Sequence, residues 1–474
     1  MDNHDKERLF AWLDLNRDWM IQRLQEVLRI PSVKDVSQPN APFGIEIRRA
    51  LDYTLNLCAE MGFTVHDDEG YAGHAEFGQG DEMVASLGHL DVVPAGDGWH
   101  FGPFEAEISD GYIYARGSSD DKGPIYAALY GAKSLMESGL PISRRIRIIF
   151  GGDEESGFEC VDHYWNISQN ERPRYAFTPD SSFPLTYAEK GIANVTIKLP
   201  LANSSDNTPT DSDGLQLVSF CGGNRPNMVP DLAAARLSAR PEILLEAATQ
   251  LQRYWDHNVS AELKMGEILI RAIGKSAHGS TPLEGDSAIV RLARALKAVL
   301  PAQNHSWLDF IIRSSLADGF GLGVARTCPV TGPLSCNLGV AALESRALKL
   351  TYNIRYPVHQ DAAELLKAIA AGIELVHAAI VEHHDMAPLF IPLDQEPVKT
   401  LLKAYREETG DTQSLPETMG GGTYARATPN AVAFGATFPG GSDGPPHQPD
   451  ERFSVDTLLR SARIFARALY ELAR

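Results

Sequence analysis

Four short apolar runs, punctuated by glycine or proline, set the architecture this sequence can adopt. Residues 83–87 end at Gly88, 146–150 end at Gly151-Gly152, 175–178 end at Pro179, and 431–436 form the fourth. Runs of this length, separated by helical segments, mark strands of a parallel sheet buried on both faces, where no polar side is needed. Between them, Pro124 opens a helix whose Ile125, Ala128, Leu129, Ala132, Leu135 and Met136 share one apolar face, and Gly139 closes it. The first 30 residues also carry helical spacing (Leu24, Val27, Leu28) and stop at Pro31. The reading is an α/β fold, with a mainly parallel sheet and helices on both faces.

One core rarely grows beyond about 250–300 residues, so a chain of 474 residues reads as two domains. The texture changes near Gly191. Strand-like runs follow at 192–199, 215–220, 267–273 and 348–355, with helical stretches at 284–300 and 361–384, and a polar segment at 202–214 reads as a mobile surface loop. Residues 191–389 are therefore expected to form an inserted α+β domain, between the 1–190 and 390–474 portions of the first. No internal repeat is visible, although two related halves within the insert stay open.

The formal net charge of −19 argues against nucleic acid or an anionic membrane as partner. No stretch approaches the roughly 18 apolar residues of a membrane helix, and Met1-Asp2-Asn3-His4-Asp5 is too polar for a secretory leader. Cys58, Cys160, Cys221, Cys328 and Cys336 are odd in number and form no C-x-x-C pair. They read as reduced thiols of a cytoplasmic protein. Any metal here must then be held by His, Asp and Glu.

Such residues stand where strands end. Gly88-His89-Leu90-Asp91 follows the first run, Asp153-Glu154-Glu155 the second, Asp180 the third, and His447 lies a short loop beyond the fourth. Asp120 stands at the mouth of the Pro124 helix. Ligands bind beyond the carboxyl ends of strands in open α/β sheets, so these distant residues can converge. Two imidazoles with three carboxylates suit zinc, or manganese and cobalt. Two hydrolytic metals lie about 3.5–4 Å apart and need a bridging group, which one carboxylate can supply. Asp91, two residues from His89, can face the same side and accept its second ring N–H. In the pair Glu154-Glu155, one carboxylate can bind metal while its neighbour takes a proton from water. Each motif alone also has a plain reading: a polar strand end, a solvated loop, a helix cap at Asp120-Asp121, a turn at Asp180, a surface histidine at 447. Their joint placement on one sheet is what points to a site.

Five segments together resemble a known metallopeptidase family, the one that includes acetylornithine deacetylase, succinyl-diaminopimelate desuccinylase, carboxypeptidase G and carnosinase. They are Gly88-His89-Leu90-Asp91-Val92-Val93-Pro94, Arg116-Gly117-Ser118-Ser119-Asp120-Asp121-Lys122-Gly123-Pro124, Gly152-Asp153-Glu154-Glu155-Ser156-Gly157, Gly420-Gly421-Gly422-Thr423-Tyr424-Ala425 and His447-Gln448-Pro449-Asp450-Glu451. Within the family the chain looks most like the dipeptidase V type. The resemblance implies a di-zinc site with His89 and Asp180 on one metal, Glu155 and His447 on the other, and Asp120 bridging. It makes Glu154 the general base and later proton donor, and Asp91 the partner of His89. The insert becomes a lid in which His278, in Gly274-Lys275-Ser276-Ala277-His278-Gly279, polarises the scissile carbonyl. Asn227 stands near the transition state, Arg355 binds the substrate carboxylate, and Gly421 and Gly422 offer backbone N–H groups. Residue chemistry alone leaves His278 open as a surface histidine, Asn227 as a turn residue and Arg355 as half of an ion pair.

The implied activity is hydrolysis of unblocked dipeptides, of Xaa-Xaa or Xaa-His type, by a water that Glu154 activates between the metals. Deacylation of N-acyl amino acids is the alternative chemistry, and a non-catalytic metal- or peptide-binding homologue the alternative class. The long insert resembles the lid of the dipeptidase V type, which mimics a dimer within one chain, so a monomer is expected.

Overall fold

The computed structural model describes residues 1–201 and 214–474, so the expected loop at 202–214 lies, but for Gly214, outside the described residues. The chain divides into two compact units. One comprises Met1–Ala188, Leu389–Thr418 and Gly422–Arg474; the other comprises Glu189–Pro388 with Met419–Gly421.

The first unit is built on a mixed sheet, in the order Thr64–Asp68, Ala72–Phe77, Arg145–Gly151, Met83–His89, Tyr175–Thr178, Ala431–Ala433, Thr186–Glu189 and Leu389–Phe390. The four strands from Arg145–Gly151 to Ala431–Ala433 run parallel, and these are the four apolar runs of the sequence. Thr64–Asp68 with Ala72–Phe77, Ala72–Phe77 with Arg145–Gly151, and Ala431–Ala433 with Thr186–Glu189 are antiparallel, so the sheet is mixed around a parallel centre. The fourth run is shorter than expected: its strand stops at Ala433, and Ala436–Thr437 pairs separately with Ser181–Ser182.

Alternation along the central strands serves two cores. Val84, Ile146, Ile148, Phe177 and Val432 join one cluster with residues of helices Lys122–Ser138 and Val455–Ala473. Met83, Ala85, Leu87, Ile149, Ala176 and Ala431 face the other side, against Phe43, Ile47, Tyr164, Trp165 and Tyr424. Helix Lys122–Ser138 ends at Gly139 in a left-handed conformation (φ 61°), as its sequence requires.

The second unit is an antiparallel sheet ordered Val259–Lys264, Glu267–Ile273, Leu232–Ser238, Gln216–Gly222, Ser335–Glu344, Ala347–Tyr356, Gly191–Pro200 and Ala379–Met386. One face carries the apolar core (Val195, Ile197, Cys336, Leu350, Tyr352, Ile354) beneath helices Pro241–Gln252, Ala288–Val299, His305–Ser314 and Ala362–Ile373. The sheet has two halves of one design, meeting where Cys221 pairs with Ala342. Each half is a hairpin, then a helix, then an outermost strand, with a fourth strand slotted between that outer strand and the hairpin. The expected helix at 361–384 stops at Ile373, and Ala379–Met386 is an edge strand on Gly191–Pro200. His377 breaks the helix in the left-handed region (φ 53°), and the β-branched residues beyond it find a sheet edge to extend.

One buried histidine makes folding pH-dependent. His74 sits on strand Ala72–Phe77, 9% exposed, with Nδ1 2.7 Å from the Tyr164 hydroxyl, which itself accepts from Arg147. Burial, then the charge of Arg147, push its pKa down to about 3 from the ordinary 6.5. The native state thus refuses a proton that the unfolded chain accepts. Its contribution is complete above pH 6.5 and is lost as pH falls from there towards 3. Between pH 7.5 and 4.5 this residue alone removes about 2–3 kcal/mol. Urea unfolding at the two pH values should show the wild type losing that much more than His74→Asn. Equal losses in both proteins would show that His74 is not the titrating group.

Candidate metal centre

The carboxyl ends of the parallel strands open on one edge of the first unit. His89, the last residue of its strand, is fully buried, with its backbone N–H on Asp121 Oδ2 at 3.1 Å. Gly88 before it allows this approach, because a Cβ there would lie 2.4 Å from that same oxygen. His89 Nδ1 lies 2.9 Å from the Asp91 carbonyl and 3.5 Å from the Asp91 carboxylate. With Nδ1–H on the backbone oxygen, Nε2 is left to face Asp120 Oδ1 at 3.0 Å. The Asp91 carboxylate takes a further task that the sequence did not reveal, accepting the consecutive N–H groups of Glu154 and Glu155, each at 3.1 Å.

Asp120 lies between two imidazoles. Its Oδ1 meets His89 and its Oδ2 lies 3.1 Å from His447 Nε2, which is also 3.0 Å from Glu155 Oε1. Two donor groups result: His89 with Asp120 and Asp180, and Asp120 with Glu155 and His447, the donor atoms in each lying within 4.8 Å of one another. The five residues expected to hold metal are thus gathered, with Asp120 common to both groups. Glu154 and Asp91 stand beside them.

The loops that carry these side chains are pinned from behind. The Glu451 carboxylate, fully buried, accepts from Arg116 at 2.6 Å, from Ser119 N at 2.9 Å and from Asp120 N at 3.3 Å. It lies four residues beyond His447, so one acid ties together the chain segments of two donors. His447 itself has φ +65°, a strained choice for a non-glycine residue, and the turn is braced where Asp450 binds His100. Lys122 is buried with Nζ on the carbonyls of Val27 and Ile30, and burial pushes its amine down to about 7. Asp153 holds the Glu154-Glu155 loop through Lys34 and Ser156. Glu451, Asp121, Lys122 and Asp153 all lie inside or beside motifs visible in the sequence. Their partners are far away in the chain, which is why spacing did not give them roles.

These side chains fit divalent cations. Carboxylate oxygens and imidazole nitrogens without thiolate are the donors of zinc, manganese or cobalt sites. The charge balance agrees. Burial, followed by the repulsion of Asp180, pushes Glu154 up, and burial with Asp120 pushes Glu155 up. Asp120 and then Glu155 draw a proton onto His447, raising it to about 10. Crowded acids that raise one another and protonate their imidazoles are relieved by bound cations.

The remaining expected site residues fall mainly in the second unit. Arg355, 5% exposed, donates to Asn353 Oδ1 at 2.8 Å and to the Gly420 carbonyl at 2.9 Å. His278 Nδ1 lies 2.6 Å from Ser280 Oγ, and the exposed Asn227 gives its carbonyl to Gly279 N at 2.7 Å. Gly421 belongs to this unit and Gly422 to the first.

Donor sets of this kind, at the strand ends of a mixed α/β sheet, are what metal-dependent hydrolases present. The chain belongs to peptidase family M20/M25/M40, whose model matches residues 85–471. It is 37% identical to "Putative dipeptidase YtjP" of Bacillus subtilis (strain 168) over 463 residues, covering 96% of this chain and 97% of that one. A similarly named protein of Staphylococcus haemolyticus (strain JCSC1435) is 34% identical over 462 residues, with the same coverage. Among solved structures, human carnosine dipeptidase 1 matches with TM-score 0.57, 16% identity and 99% of each chain covered. The dipeptidase Dug1p of Saccharomyces cerevisiae matches with TM-score 0.58, 14% identity and 100% and 99% coverage. At these identities the two structures show the fold. Among the described residues no helix is long and apolar enough to cross a membrane.

Proposed function

We propose that the protein is a dipeptidase that uses two divalent cations, zinc in the first instance, to cleave unblocked dipeptides. The observation that carries the reading is the position of Asp120, one carboxylate oxygen toward each of two imidazoles in adjoining donor groups. His89 and Asp180 would hold one cation, Glu155 and His447 the other, with Asp120 shared. When bound, the cations would polarise the scissile carbonyl and lower the pKa of a water.

Glu154 removes the proton from the attacking water and passes it to the leaving amine. Asp91 fixes the N–H groups of both Glu154 and Glu155, which keeps base and ligand in register. His278 and Asn227 stabilise the oxyanion, Arg355 takes the substrate carboxylate as a bidentate fork, and Gly421 and Gly422 contribute backbone N–H groups. Residues 1–190 and 390–474 act as the catalytic domain and 191–389 as the lid domain. The paired halves of the insert support a monomer. The five cysteines, none in a disulfide and three of them buried, support a cytoplasmic location.

Specificity is tested with a free dipeptide, its N-acetyl form, a tripeptide and a β-alanyl dipeptide, each offered to the metal-reconstituted protein. The free dipeptide is expected to turn over and acetylation to block it. Turnover of the acetylated compound alone would replace the dipeptidase reading with N-acyl amino acid deacylation.

A further inference from the structure

The polar face of the second unit's sheet holds several buried polar side chains that a hydrophobic core would not tolerate. Ser335, Asn337, Asn353 and Arg355 are each 8% exposed or less, and they lie across from one another on adjacent strands: Ser335 pairs with Arg355 and Asn337 with Asn353. Burial of such groups is costly unless every donor is used. Here the donors are spent on neighbouring strands and on particular loops. Asn353 Oδ1 receives Arg355 Nε, and Asn353 Nδ2 donates to Asn194 at 2.8 Å.

Asn337 has the more telling pair of bonds. Its single Nδ2 donates to the carbonyls of Pro226 and Met228, both at 2.8 Å, the two residues that flank Asn227. The carbonyl of Asn227 itself accepts from Gly279 N, next to His278, and Val229 N donates to Ala277 at 2.8 Å. Three successive carbonyls are thus occupied, and the exposed Asn227 side chain projects from a backbone that cannot rotate freely. The strand beneath is shaped to receive this loop. Its register shifts between Leu338 and Val340, and a Cβ at Gly339 would lie 2.2 Å from the Pro226 carbonyl.

We propose that Asn337 is a positioning residue that sets the Asn227 loop, and through Gly279 the His278 loop, in the geometry needed for turnover. The inference rests on the reading above in which Asn227 acts on the substrate. Asn337 touches no substrate. It acts by holding the backbone from which Asn227 projects, and the two N–H bonds of one amide are what alanine or an acceptor-only carboxylate cannot reproduce.

The test is a double-mutant cycle on dipeptide hydrolysis by the metal-loaded protein. Asn227→Ala, Asn337→Ala and the double variant are compared for kcat, KM and metal content. Asn337→Ala is expected to lower kcat by about 10–100-fold at nearly constant KM and full metal content, since displacement of a catalytic group by about 1 Å costs this much. The double variant should be no worse than the poorer single variant. Hydrogen exchange should speed up in peptides covering 224–230 and not in the first unit. Gly339→Ala, which pushes the same loop from below without touching the amide, should reproduce the kcat loss if Asn337→Ala does not fold. Losses that multiply in the double variant, or an unchanged kcat in Asn337→Ala beside a reduced one in Asn227→Ala, would overturn the positioning role alone. An unchanged kcat in Asn227→Ala would overturn the role of Asn227 and the inference with it.

Discussion

Glu154→Gln is expected to lower kcat by about 10²–10⁴-fold, the usual contribution of a positioned general base, while KM and metal content stay near those of the wild type. The substitution keeps size and polarity and removes only the ability to take a proton. It leaves the backbone untouched, so the Glu154 N–H still reaches Asp91 and the neighbouring Glu155 N–H still reaches the second Asp91 oxygen. The donor groups built on His89, Asp120, Glu155, Asp180 and His447 do not include Glu154. Loss of turnover with retention of metal is therefore the signature that separates base from ligand. The measurement is steady-state kinetics on a free dipeptide with metal counted by elemental analysis of the same sample. A variant that keeps its kcat would remove Glu154 from the chemistry, and one that loses metal would make it a ligand.

Asp120→Ala should do the opposite, emptying the centre. Its carboxylate is the member common to both donor groups, and without it two imidazoles and two acids would lie in pairs with no shared oxygen. Near-stoichiometric loss of both ions at a metal concentration that saturates the wild type is the expected result. Activity should fall by about 10³-fold or more, several kcal/mol of metal-derived stabilisation. His447→Ala, by comparison, removes a donor from one group only and should retain one ion per chain. Chelation of the wild type should match Asp120→Ala in activity, and restoring zinc, manganese or cobalt should rescue the wild type but not the variant. Two ions retained by Asp120→Ala would show that the groups do not depend on a shared carboxylate.

The parts of the molecule that could be read from the residues are those where local pattern and tertiary demand agree. A strand buried on both faces must be apolar along its length, so residues 83–87 and 146–150 announced themselves, and the acids just beyond them fall where any parallel sheet places its ligands. Strand Leu232–Ser238 was missed for the converse reason. Leu-Ala-Ala-Ala-Arg-Leu-Ser has no strand propensity of its own, and it extends because neighbours on both sides supply hydrogen bonds. The same competition turned the second half of the stretch at 361–384 into a strand. Within the site, His-x-Asp spacing pointed to Asp91 as partner of His89, yet the carboxylate reaches the Glu154 turn, 63 residues away in the chain. Glu451 and Asn337 were invisible as supports because nothing in an isolated Glu or Asn states which distant backbone it will grip.

The two matching halves of the second unit's sheet bear on how this protein can evolve and work. In a symmetric dimer every substitution appears twice, and each copy of a surface must serve both roles. Here the halves are written separately in one gene, so the half bearing Asn227 and His278 can drift apart from the half bearing Arg355. Their junction also has an effective concentration set by the connecting chain instead of by how much protein is present. A construction of this kind keeps both sets of loops assembled at any dilution, which a pair of separate subunits would forfeit below its dissociation constant.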